Sequence, residues 1–156
     1  MTPNVRASIA NIQRAQDDNL RKIGMLSPAG ELGEAVRDVM VGAHRYAVSI
    51  THVGRYIQTR SGKYRYARPG EAAVGGGALR ASHRMEFAQD ASSATGRIFI
   101  DPNTTNPLTG DKPVEYGVYE HRRGGEHAFY ARTIGEYGPK ALSRAGKRIA
   151  IALRGR

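Results

Sequence analysis

The stretch from Glu31 to Val53 constrains the fold most, because it carries the longest unbroken helical period in the chain. Leu32, Ala35, Val36, Val39, Met40, Ala43, Tyr46, Ala47, Ile50 and Val53 recur at the three- and four-residue spacing that lines one side of a helix. Glu34, Arg37, Asp38, His44 and Arg45 take the opposite side. At about 1.5 Å per residue such a rod is roughly 35 Å long, so other segments must cover its apolar side. Ser27-Pro28 predicts a cap and a first helical residue, Glu31 suits the positive end of the helix, and Gly54 offers a stop.

The segments around it divide by pattern. Val5, Ile9, Ile12, Ala15, Leu20 and Ile23 predict a first helix, interrupted by Asp17, Asp18 and Asn19; the alternative is an arm that orders against a neighbour. Between Gly54 and Gly77 the chain turns to Gly, Ser, Pro, Arg and Tyr, which is loop chemistry. Within it Tyr64 and Tyr66 alternate with Lys63, Arg65 and Arg68, either a surface on which bases stack or a hairpin arm that keeps its charges in water. Two strands are predicted in 79–101, on His83, Met85, Phe87, Ile98 and Ile100, separated by the turn-like 90–96. A polar loop over 101–112 follows, then a third strand over Val114–Tyr119.

Glu126–Tyr137 is read as a short helix broken or restarted by Gly138-Pro139, and 139–153 as a last helix with Leu142, Ala145, Ile149 and Leu153 inward. Lys140, Arg144, Lys147 and Arg148 fall mostly elsewhere on its circumference. The expected fold is a single α+β domain over 1–156, its helices packed on one side of a small antiparallel sheet. The segments 54–77 and 101–112 are expected to extend from it as loops.

Composition narrows the chemistry. The absence of cysteine removes disulfides, thiolate metal sites and thiol nucleophiles together. No eighteen apolar residues run together and the charged N-terminal segment lacks a signal-like core, so the expectation is a soluble, unexported chain. The formal charge of +10 is uneven, with nine basic and two acidic residues in 121–156. Such an end suits nucleic acid, an anionic membrane or an acidic protein face.

Catalysis finds little support. Gly75-Gly76-Gly77 is followed by no Lys-Ser or Lys-Thr pair and preceded by no apolar strand, as a phosphate loop would require. His44, His52, His83, His121 and His127 invite a metal, but Glu120 and His121 would point to opposite faces of a strand. His121 with Arg122 and Arg123 could serve a nuclease, yet no paired carboxylates for Mg²⁺ stand beside them. No strand-elbow-helix serine motif is present.

Three blocks carry a resemblance. Arg68-Pro-Gly-Glu-Ala-Ala-Val-Gly-Gly-Gly-Ala-Leu-Arg-Ala-Ser82, Tyr116-Gly-Val-Tyr119-Glu120, and His127-Ala-Phe129 through Leu142 stand in that order behind the long helix. Together they resemble the tail-completion and head-tail joining proteins of long-tailed bacteriophages. Gly76 replaces a usual threonine, Ala72 and Ala73 a common proline, and His121-Arg122-Arg123 an aromatic and glycine.

The resemblance implies a virion structural protein with neither catalysis nor cofactor, forming a ring, expected of six, at the head-proximal end of the tail. Its implied neighbours are a connector or head-closure protein on one side and a tail terminator or tail tube protein on the other. Packaged DNA is a further expected contact, a membrane is not, and the implied location is the virion after assembly in the host cytoplasm. The interface candidates are Tyr64, Arg65, Tyr66, Arg68, Glu120, His121, Arg122, Arg123, Lys140, Arg144, Lys147 and Arg148. The alternative is a small basic nucleic-acid-binding protein.

Overall fold

The computed structural model describes residues 3–154; the side chains of residues 3–10 and 12 fall outside that set, and with them the expected packing roles of Val5, Ile9 and Ile12. The chain runs α1 (Pro3–Leu26), α2 (Glu31–Ile50), β1 (Arg55–Gln58), β2 (Tyr64–Tyr66), β3 (Val74–Gly75), α3 (Ala78–Ala81), β4 (His83–Gln89) and β5 (Ala94–Ile100). It continues through α4 (Pro113–Arg122), a 3₁₀ turn (Gly125–His127), α5 (Phe129–Arg132), a π turn (Thr133–Tyr137) and α6 (Gly138–Arg154). This is an α+β arrangement with two small antiparallel sheets where one was expected, ordered β2-β1-β3 and β4-β5.

Helix α2 is the centre of the packing, touching α1, α3, α5, the π turn, α6 and both strands of β4-β5. Its start differs from the expectation. The Ser27 hydroxyl donates back to the Gly24 carbonyl at 2.6 Å, completing the end of α1, and the N-cap of α2 is Gly30. The close turn then needs a small residue inside the helix, because a Cβ on Gly33 would collide with the Pro28 carbonyl oxygen. At the other end α2 stops before Gly54, where the N–H and hydroxyl of the fully buried Thr51 both donate to the Ala47 carbonyl.

The inward face of β4-β5 carries the pairs His83–Ile100, Met85–Ile98 and Phe87–Gly96. Gly96 is small because Met40 of α2 lies against it. The joining turn is held by Asp90, whose carboxylate accepts from the backbone and hydroxyls of Ser92 and Ser93. Those bonds hold its pKa at about 2.

Three expectations are corrected. The strand expected over 114–119 is helix α4, with Pro113 at its first position and Glu115 in its first turn. Gly117 is buried where α4 meets Ile100 and Leu79, whose Cδ1 atoms would stand 2.5 and 2.9 Å from any Cβ there. The 54–77 loop is a three-stranded sheet, with Tyr56 opposite both Tyr66 and Val74. Of the break or restart expected at Gly138-Pro139, there is no break: a π turn leads straight into α6, which starts at Gly138. Glycine has no Cβ to clash with the following proline ring.

Candidate functional site

The interface candidates fall on two surfaces. The first is a recess between the β2-β1-β3 sheet and α4, of about 340 Å³, bordered by Arg55, Tyr56, Tyr66, Glu120, Arg123 and His127. Tyr56 and Tyr66 stack at 4.7 Å between ring centroids. Burial is the main reason the Tyr56 phenol titrates far above its ordinary range. The 101–112 loop closes down on this sheet through Asn106, which is 1% exposed and accepts the Leu108 N–H on its side-chain oxygen.

An open groove of about 680 Å³ continues past Tyr64, Arg65 and Tyr66 toward Tyr116 and Tyr119. Arg65 is held by a two-pronged ion pair to Glu71, at 2.8 and 3.0 Å. With the Arg68 N–H added, this pair lowers the Glu71 pKa to about 2. Arg68 keeps an exposed side chain.

The charges on α4 mostly satisfy one another. Glu120 pairs with Arg123 at 3.1 Å and lies 2.8 Å from His127 Nδ1, off the N–H axis, so the second contact is electrostatic without being a hydrogen bond. His121 turns inward, its ring 5.1 Å from Phe129 and 5.8 Å from Tyr130, and so serves packing; Arg122 and Arg123 remain exposed. Among the described residues no three of His, Asp and Glu converge as metal ligands.

The second surface is the outer face of α6, with Lys140, Arg144 and Lys147 exposed. Arg148 is different: it pairs with Glu31 at 2.8 Å and with Asp38, tying α6 to α2.

Sequence reasoning missed a buried polar chain linking α2, β4 and α5. Thr51 gives its one hydroxyl proton to Ala47, so its oxygen accepts from His83 Nε2–H at 2.8 Å. His83 Nδ1 is then the acceptor for the Tyr130 hydroxyl at 3.1 Å. Burial, aided by His44, pushes the His83 pKa down to about 4, and burial raises that of Tyr130 to about 12. The only sequence signal was a histidine at the first inward position of a predicted strand.

Comparison with known proteins finds no matching family model, curated protein or solved structure.

Proposed function

We propose that this chain is an assembly subunit of a bacteriophage particle, a tail-completion or head-tail connector component whose function resides in its surfaces. The observation that carries the reading is surface left uncovered. The chain exposes 10611 Å², whereas a compact monomer of 17.0 kDa exposes about 7,700 Å². The surplus, roughly 2,900 Å², is on the scale that obligate interfaces bury. It includes large apolar side chains, among them Leu20 and Ile23 of α1, Ile134 of the π turn and Leu142 of α6, each at least 65% exposed.

Subunits of this kind close into a ring when one patch meets a different patch on the next copy. The sequence resemblance at Arg68–Ser82 is what suggests the head-tail junction as the site of such a ring, and that block leads directly into β4 here. The block at Tyr116–Glu120, a strand in the resembled family, is helical here, so it supports the reading through sequence alone.

Reversing Arg122 and Arg123 to Glu tests the α4 end as the docking surface. Incorporation into tails or emptied particles, read by quantitative gel of purified particles, is expected to fall at least tenfold with the circular dichroism spectrum unchanged, because both side chains are exposed. An unfolded spectrum would make the arginines structural. Undiminished incorporation would remove this end from the interface.

A further inference from the structure

We infer that the outer face of α6 binds the phosphate backbone of duplex nucleic acid. Lys140, Arg144, Lys147 and Arg154 stand at i, i+4, i+7 and i+14, which puts all four on one side of the helix, and all are exposed. The segment GPKALSRAGKRIAIALR contains no acidic residue. Among the described residues none of the four cations is in an ion pair, while Arg148, one step round toward α2, pairs with Glu31 and Asp38. The fold thus pairs the inward cation and leaves the outer row without an ion pair, with Glu136 one turn before Lys140 and Arg144 at the rim of the cleft that Asp38 also borders.

The row runs about 21 Å along the helix. Over that length a duplex presents about twelve phosphates. An anionic membrane fits the row less well, because a helix lying in a lipid interface buries its apolar side, and here Ala141 and Ala145 line a cleft shared with Ala35 and Val39 of α2. Ile151 is the single large apolar residue on the cationic face, and Leu142 projects from nearly the opposite side of the helix. An acidic protein face fits less well too, since protein interfaces centre on aromatic and apolar anchors and are depleted in lysine. Interfaces with nucleic acid are instead polar and strongly positive. The inference stands apart from the assembly reading, because it needs only the exposed row.

The test is fluorescence anisotropy of a labelled 20-base-pair DNA duplex with the full-length chain from 50 to 200 mM salt. Binding should weaken steeply with salt. Lys140→Gln, Arg144→Gln and Lys147→Gln combined should remove about 2.7 from the magnitude of the log–log salt slope and weaken binding at 100 mM at least tenfold. Arg144→Gln alone should remove about a third of that slope change, which keeps the test open should the triple variant fold poorly. A control combining Arg14→Gln, Arg45→Gln and Arg60→Gln, three exposed cations outside α6, should stay within twofold of the unaltered chain.

The inference is overturned if the triple variant keeps the original slope and affinity, or if the unaltered chain fails to bind the duplex at 50 mM. Binding to vesicles of anionic lipid with none to DNA would overturn it as well. A chain that enters particles without binding DNA overturns this inference and leaves the assembly reading standing; one that binds DNA through α6 but ignores particles does the reverse.

Discussion

Replacing Phe129 by alanine is expected to cost about 3–5 kcal/mol of unfolding free energy, measured by urea denaturation at neutral pH. Phe129 is 2% exposed and is the largest fully buried side chain. Its ring meets His83 of β4 at 5.2 Å, His121 of α4 at 5.1 Å and Tyr130 at 4.7 Å, all edge-on. β4 is thereby joined to the more distant α4 and α5 through one aromatic cluster. Most of the other buried apolar residues are alanines, Ala35, Ala47, Ala78 and Ala141, which cannot move in to fill the space. Phe129→Leu should cost less than the alanine variant, because it keeps more of the buried volume while losing the edge-on ring contacts. A loss below 1 kcal/mol for the alanine variant would mean that the joint contributes little.

The second large effect is acid sensitivity centred on His83. Its folded pKa is depressed to about 4 from 6.5, so between those values the unfolded chain binds a proton that the folded chain excludes. Stability is full above about pH 6.5 and is lost as pH falls through that window toward 4. The loss amounts to about 3 kcal/mol at roughly 1.4 kcal/mol per pKa unit. The cause is first the burial of the imidazole between Thr51 and Tyr130, and then the nearby His44.

Urea unfolding between pH 4 and 7 should show this loss in the unaltered chain. In His83→Gln the contribution should vanish, leaving a less stable but flatter profile. Imidazole NMR of the unaltered chain should place His83 near 4; titration near 6.5 would contradict the buried network. Glu71 and Asp90, lowered to about 2 from 4.5 and 3.8, begin to lose their contributions below about pH 5 as the unfolded chain takes up protons, so the His83 effect is read between about pH 6.5 and 5 and by its absence in His83→Gln.

These two residues show what could be read from sequence and what could not. Helix α2 was legible because nine residues within it carry its period, and β4-β5 because inward and outward residues alternate in both strands. Helix α4 was misread because Tyr116, Val118 and Tyr119 favour strands. The signals against a strand were present in Pro113 and Glu115, but what decides the matter is tertiary, since Gly117 lets the helix approach Ile100 and Leu79. At 55–75 the β1–β2 hairpin was among the readings of the tyrosine-rich basic run, whereas the sheet with β3 was not, because strands of four, three and two residues are too short for periodicity to register.

The candidate surfaces were legible in part. The basic positions of α6 follow from helical spacing, yet that Arg148 is spent on Glu31 and Asp38 depends on how α6 crosses α2. His121 looked like a surface residue beside two arginines and instead packs against Phe129, because a helix turns neighbouring residues about 100° apart.

Mass photometry of the purified chain, alone and mixed with phage tails or emptied particles across a salt series, addresses assembly most directly. Discrete ring-sized species, or incorporation at one fixed stoichiometry that weakens with salt, is the expected result. A chain that stays monomeric at every concentration and never enters particles would contradict the assembly reading.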